Sequence, residues 1–570
     1  MKHEKTACKK NSTSKLFKTI LSLVMVFSLL MSCSLIFTGC GQDSDDESTG
    51  KPNNDDKNNA SKYEGLKEEE YLQALESDNL GTLVDALGEV YDAFLEGAGS
   101  SSPADLSSGA KMDLTLRLGD DLLDMLEQAV FGGDIGDMSF LSKIDLNMDV
   151  GFKDQLEKVQ LGLDLNGQKI MTLNLLMGLS DYVMYMAIPE LNDTYLKFDL
   201  CKMMGNASVT DMMNSTAQMS AFAKALPNAE ALTAILDRYL NLALAELDNV
   251  TQSTAKLEVN GLKQDCTQLT LKIYEADALA MAKSVLNAAK DDADLKKIIE
   301  DVAAAAKELT GEQIDGNQVY AEFKQGVNDL LTELNQTGET DTQDPIQLIT
   351  YVDKDHNIIG RKLSVFSEGK ENDVFYYYIV SEGNPFAFEA AFVGDAKGSD
   401  DVKISGTGTD KDGKISGNFT VAAEGTEYVT VKLEELSAES GTITLAPTAD
   451  AEKELELDEL PFKKLALQVK LGDGIELNVL SQSKLLAGLA LKISESNGPD
   501  LSVPSNAADG ADSSALQKWA EKLVLDKVVK NLEDAGMPSA LINALKNGLF
   551  GGAQSGAGTM AQQNARFEAA

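Results

Sequence analysis

Histidine is almost missing from this chain: there are two in 570 residues, and only His356 lies beyond the first forty. A Ser-His-Asp or Cys-His nucleophile system therefore has one candidate base, and His356 sits in a turn between alternating apolar runs with no nucleophile pattern beside it. Cysteine is scarce too. Beyond Cys40 only Cys201 and Cys266 remain, too few for a disulfide framework over this length, so stability has to come from packing. Whether those two pair stays open, since pairing needs Cα atoms about 5.5–6 Å apart. The four arginines (Arg117, Arg238, Arg361, Arg566) are too few and too scattered to suggest a bidentate phosphate clamp.

The signatures HExxH, CxxC, GxSxG and GxxxxGK[ST] are all absent. Ser481-Gln482-Ser483-Lys484 fits S-x-x-K as a string. The penicillin-recognising enzymes that use this motif also carry a KTG element, which is lacking here, and place the serine at a helix start. Asp353, Asp355 and Asn357 open like an EF-hand loop. However, Ile358 stands where glycine is needed and Ser364 where the bidentate glutamate belongs. Asp410 and Asp412 likewise lead to Val421 at the closing position, so both segments read as Asp-rich β-turns. The expectation is a non-catalytic protein with no cofactor and no metal site.

Acidic residues dominate what is present. Residues 1–18 hold six lysines (Lys2, Lys5, Lys9, Lys10, Lys15, Lys18) and one acid, Glu4, and Thr19–Gln42 carries no charge. A basic start, an apolar run and small residues before a cut describe a secretory signal, although the run is also long enough to cross a bilayer uncut. Without residues 1–39 the chain keeps 44 of its 50 basic and 90 of its 91 acidic residues, a net charge of −46. Such a surface repels phosphate backbones and anionic headgroups, which excludes nucleic acid as a partner.

Phe37-Thr38-Gly39-Cys40, followed by Gly41-Gln42-Asp43-Ser44-Asp45-Asp46, resembles the lipobox of bacterial lipoproteins, with Phe37 in place of the usual leucine. The resemblance implies diacylglyceryl attachment at Cys40 and cleavage before it. Leu30-Met31-Ser32-Cys33 also fits, but would leave Leu35-Ile36-Phe37 after the anchor, where polar residues are normal; Cys40 is therefore preferred. At about 0.8 kcal/mol per buried CH₂, two acyl chains suffice for stable anchoring. Residues 41–62 are nearly all Asp, Asn, Ser, Gly and Lys and read as a disordered tether of about 26 Å r.m.s. length.

Helix is expected where Leu80, Leu83, Val84, Leu87, Val90, Tyr91 and Phe94 share a face. Strict alternation follows in Met112–Leu118, Ile144–Phe152, Val159–Leu165 and Met171–Met177, with Asn166-Gly167 as a tight hairpin. Tyr182–Ile188 and Tyr195–Leu200 add strands. Residues 209–247 read as two helices broken at Pro227, Lys256–Val259 and Thr267–Tyr274 as short strands, and the stretches around Leu295–Leu309 and Val319–Leu334 as helices. Ile346 to about Ser494 is strand and turn, and helix returns around Leu516–Leu523 and after Pro538.

Met138, Met148, Met171, Met177, Met184, Met186, Met203, Met204, Met212, Met213 and Met219 concentrate in one stretch. Methionine fills irregular cores more often than it lines ligand grooves, so a core beneath the sheet is the first reading and an adaptable groove the second.

The order of N-terminal helix, antiparallel meander with one apolar face and following helices resembles the lipoprotein-carrier superfamily over residues 66–395. The Tyr182–Leu200 and Tyr351–Asp355 segments are similar to uncharacterised Gram-positive surface lipoproteins. The resemblance implies a curved sheet and covering helices around an apolar cavity, and carries over no functional residue. The expected fold is α+β: a large twisted antiparallel β-sheet, a meander or half-barrel, with helices on one face. The expected segments are a signal peptide (1–39), lipidated Cys40 with its tether (40–62), a helix, sheet and covering helices (63–345), a β-rich continuation (346–500) and C-terminal helices with a frayed tail (501–570). The expected role is a membrane-tethered extracytoplasmic lipoprotein that holds a lipid or other apolar molecule between sheet and helices. The alternative is a surface interaction or scaffold protein with a solid core, its protein partner open.

Overall fold

The computed structural model describes residues 62–99, 109–131, 137–153, 156–178, 181–204, 226–310, 314–336, 344–393, 400–496, 498–500 and 502–546. Cys40, its leader and nearly all of the tether lie outside these residues, as do Met212, Met213 and Met219. The architecture is α+β, with twenty strands in open, twisted, mostly antiparallel sheet and eleven helices among the described residues.

The chain begins with α1 (Glu68–Gly99), β1 (Gly109–Leu118), α2 (Asp120–Phe131), β2 (Lys143–Lys153), β3 (Leu156–Leu165), β4 (Gln168–Gly178), β5 (Val183–Ile188), β6 (Asn192–Asp199) and α3 (Leu200–Met204). Next come α4 (Ala229–Leu244), β7 (Val250–Val259), β8 (Leu262–Ile273), α5 (Glu275–Ala289), α6 (Ala293–Thr310) and α7 (Gly316–Gln336). A long strand series follows: β9 (Ile346–Val352), β10 (Ile358–Ser367), β11 (Lys370–Ser381), β12 (Pro385–Val393), β13 (Asp400–Lys411), β14 (Lys414–Ala423), β15 (Thr426–Leu436) and β16 (Gly441–Pro447). The chain ends with α8 (Ala449–Glu454), β17 (Leu465–Leu471), β18 (Ile475–Ser481), β19 (Lys484–Ser496), β20 (Ala507–Asp509), α9 (Ser513–Ala520), α10 (Asp526–Asp534) and α11 (Ser539–Leu545).

Turn chemistry sets the strand order. Five hairpins close on a residue followed by glycine, both at positive φ: Asn166-Gly167, Asn260-Gly261, Glu368-Gly369, Asp412-Gly413 and Glu424-Gly425. This is the two-residue turn whose twist matches that of the strands. Helix ends are equally local in origin. Asn228 caps α4 by accepting from the Ala231 amide, and Gly536, with φ +89°, ends α10 with the Met537 amide bonded back to the Leu532 carbonyl.

The chain divides into two compact units, neither of them continuous in sequence. The first takes in the described residues of 1–101, 215–443 and 447–455; the second those of 102–214, 444–446 and 456–570. The helices of 229–336 thus belong with β7–β15 and not with the meander β1–β6 that precedes them.

In the first unit the strands run in the order β7 to β15, each antiparallel to the next. Helix α1 lies on one face, where Tyr71, Leu72, Leu75 and Leu80 pack with Leu244 and Leu247 against Leu269, Leu271, Val352 and Leu363. At the centre of this interface Glu76 meets Arg361. The β7–β8 hairpin curls over β11 and β12. There Gln264 accepts from the Ser381 amide at 3.0 Å, and Leu257, Val259 and Tyr351 close a second core with Val380 and Ala387.

In the second unit the order is β17-β18-β19-β1-β2-β3-β4-β5-β6-β20, antiparallel except for the short parallel pair β20–β6. The C-terminal segment is sewn onto β4 and β6. The Trp519 indole donates to the Thr194 carbonyl at 2.7 Å, Asn192 donates to the Trp519 carbonyl at 3.0 Å, and Asn531 donates to the Ile170 carbonyl at 3.0 Å.

Candidate functional site

Strand alternation gives the sheet of the second unit one apolar and one polar face. Register aligns the apolar side chains in rows that cross the sheet. One row runs Leu477, Leu489, Leu116, Ile144, Leu165. A second runs Ile475, Leu491, Leu114, Leu146, Leu163, Met171, and a third Ile493, Met112, Met148, Leu161, Leu173. A fourth extends to the far strands through Val150, Val159, Leu175, Met186 and Leu196. No charged side chain interrupts the first three rows; at the margin Glu495 continues the fourth through Ala110, and Glu157 stands between Phe152 and Met177.

The face is covered at β6, where Leu196 is buried, and at one end. There Leu123 of α2, Phe140 of a short 3-10 turn, and residues of α10 and α11 pack on Leu118, Ile144, Leu163 and Leu165. The rest is open: Ile493 is 65% exposed, Leu146 and Ile475 49%, and Leu477 43%, with Leu116, Leu161, Leu467, Val479 and Leu489 also exposed. Scattered apolar residues at a surface are normal, whereas a contiguous patch of this extent is not.

The methionines fall on this face. Met112, Met148, Met171, Met177, Met184 and Met186 all lie in it, half-buried. Met138 is a core residue, and Met203 is exposed. The core reading therefore holds for Met138, while the strand methionines line the open surface.

Burial is inverted relative to polarity in β4 and β5. The sides carrying Ile170, Thr172, Asn174 and Leu176, and Val183, Tyr185 and Ala187, are buried, while Met171, Leu173, Leu175 and Met177 stay half-exposed. On the buried side Gln160 donates to Asn174 at 2.8 Å, and Glu190 takes the Thr172 amide at 2.9 Å.

The polar face forms an open trough of about 780 Å³ across β18, β19, β1, β2 and β3. Its charges are spent on one another. Arg117 forks onto Glu476 at 3.3 and 3.2 Å, Lys143 pairs with Asp145 at 2.8 Å, Thr115 donates to Asp145 at 2.6 Å, and Lys492 reaches Asp473 at 3.2 Å. The hydrogen bonds from Arg117 hold the Glu476 carboxyl below its ordinary range despite partial burial.

The residues singled out in the sequence are dispersed. Ser481 and Lys484 pair across the β18–β19 turn, at no helix start. Asp353 closes its turn on itself, accepting from the Asp355 and Asn357 amides at 2.9 and 2.8 Å. His356 Nδ1 shares a 2.8 Å hydrogen bond with the Tyr71 hydroxyl, and the Tyr63 ring is tilted over the imidazole at 4.6 Å. Cys201 and Cys266 are free thiols, and burial pushes the Cys266 thiol up. Among the described residues no three His, Cys, Asp or Glu side chains gather as a metal site, and no helix is long and apolar enough to cross a membrane. No family model and no curated protein matches the chain.

Proposed function

We propose that this chain is a membrane-tethered extracytoplasmic lipoprotein that acts by binding, without catalysis, through the open apolar face of its second unit. The observation that carries this reading is the run of Leu, Ile, Val and Met side chains left uncovered across β17–β5, with Glu157 and Glu495 only at its margin, a type of surface that soluble chains keep for a partner. The lipobox-like Cys40 and the polar tether after it support the address. The filled core of the first unit supports an interaction protein over a carrier of the expected kind: where sheet and helices meet, Leu72, Leu269 and Val352 are fully buried and Glu76 touches Arg361. A second reading, transient capture of an acyl chain or other apolar molecule, draws on the six methionines of the open face, since methionine adapts to varied shapes.

For the anchor, a clickable fatty acid should label the native chain and fail to label Cys40→Ala; label that persists would move the assignment to Cys33. For the second reading, native mass spectrometry of the delipidated chain with added phospholipid or fatty acid should show a mass gain. A clean protein mass would remove it.

A further inference from the structure

The open face has the dimensions and chemistry of half an interface. We infer that it is closed by the same face of a second copy, the two sheets packing face to face about a two-fold axis. This rests on the reading that the face is a binding surface, and names its occupant.

Area supports the pairing. Eight strands from β17 to β5, about 4.8 Å apart, with three or four apolar positions each at about 6.7 Å, cover roughly 1,000 Å², or roughly 850 Å² once Leu118, Ile144, Leu163 and Leu165 under the helices are left out. A stable interface needs about 800 Å² per partner. A face paired with itself also meets the requirement of a two-fold contact, in which one patch serves both partners. Leucine, isoleucine and methionine reach across the roughly 10 Å that separates packed sheets, and methionine fills the gaps left when two sheets cross at about 30°.

Charge decides against the bilayer. With 90 acidic and 44 basic residues beyond position 39, the chain is repelled by anionic headgroups. Two copies share that repulsion. However, charges more than about 8 Å apart are screened at physiological ionic strength, and the centre of the contact carries none, Glu157 and Glu495 lying at its margin. Centres such as Leu114, Leu146 and Leu489 offer no hydrogen-bonding group to a polar partner. Chains held on one membrane would also meet at raised effective concentration.

The test is sedimentation equilibrium of residues 41–570 as one chain, without the acyl anchor, at physiological salt. The expected result is a dimer that becomes at least 100-fold weaker in Leu146→Glu/Leu477→Glu, while Lys470→Glu, on the polar face, leaves it unchanged. A wild-type monomer at tens of micromolar overturns the pairing. If that monomer gains the mass of added lipid, the face is still a binding surface with a different occupant. If the glutamate pair instead abolishes the folding transition at concentrations where the wild type is monomeric, the face is internal to the fold, and the binding-surface reading falls with the pairing.

Discussion

Arg361 on β10 and Glu76 on α1 meet fork to fork, Nη1 to Oε1 and Nη2 to Oε2 both at 2.7 Å, with each side chain only 2% exposed. Burial works against the guanidinium charge, but the Glu76 carboxylate and the Tyr377 hydroxyl more than restore it, so its pKa stands above the ordinary value. Removing one partner strands a buried charge, which costs about 3–5 kcal/mol. Glu76→Ala should therefore lower the denaturation midpoint sharply. Glu76→Leu/Arg361→Met should recover most of the loss, because a well-packed apolar pair often matches a buried ion pair. Equal losses in the single and double variants would show that packing, and not the stranded charge, sets the cost.

Asp292 joins α4 to the start of α6. It accepts from the Asp294 and Leu295 amides at 2.8 and 3.1 Å, from the Tyr239 hydroxyl at 2.9 Å and from Arg238 at 2.6 Å. Burial alone would raise its pKa; the Leu295 amide, the Tyr239 hydroxyl, the Asp294 amide and Arg238 outweigh that and hold it below the ordinary value. A depressed folded-state pKa stabilises above the unfolded value, near 4, and the gain disappears as pH falls through the folded value. Asp292→Asn should cost about 2 kcal/mol at neutral pH, from a weakened cap and a lost charge partner. That cost should stay constant from pH 7 to pH 5 and shrink below about pH 4 in denaturation series. A gap that widens on acidification would contradict this sign.

The β18–β19 turn breaks the rule its neighbours follow. Gln482 and Ser483 sit at φ +51° and +68° with no glycine, whereas the other five turns of this shape have glycine second. Left-handed backbone costs a non-glycine residue about 1–2 kcal/mol, and glycine gives back part of that gain through the freedom of the unfolded chain. Ser483→Gly should stabilise by about 0.5 kcal/mol net, and Gly167→Ser should destabilise by a comparable amount. The two shifts in denaturant midpoint need opposite signs.

Local features of the sequence were legible because their causes are local. The alternation of β1–β4, the Asn166-Gly167 turn and the helix break at Pro227 each follow from a few neighbouring residues. What escaped depends on distant pairing. Arg117 and Glu476 are partners 359 residues apart, and the β1–β19 contact that places them together has no local signature. Glu76 reads as a solvent-facing acid until its partner, 285 residues away, is known. The open face was hidden for the same reason: alternation tells which side of β4 is apolar, but not that the side carrying Thr172, Asn174 and Leu176 is the buried one. Helix α2, short and wedged between two strands, offered too little periodicity to be noticed.

The point where the chain enters its fold is fastened by a small cluster. The Lys62 ammonium and the Tyr63 hydroxyl both bind Asp78, and Tyr63 lies over His356, which in turn holds Tyr71. Burial and the bond to Asp78 push the Tyr63 phenol up. A raised phenol pKa stabilises below the unfolded value, near 10, and the gain is lost as pH climbs through the folded value. Asp78→Ala removes both bonds at once. Because the Lys62 pair is solvent-exposed and worth at most about 1 kcal/mol, the global midpoint should move little. The local effect should be larger: amide exchange over residues 64–66 should quicken several-fold, and ultraviolet titration should recover one additional tyrosine ionising near pH 10. If Tyr63 still failed to ionise in that range, its environment would be set by stacking on His356 alone. His356→Ala would then have to restore the titration where Asp78→Ala did not.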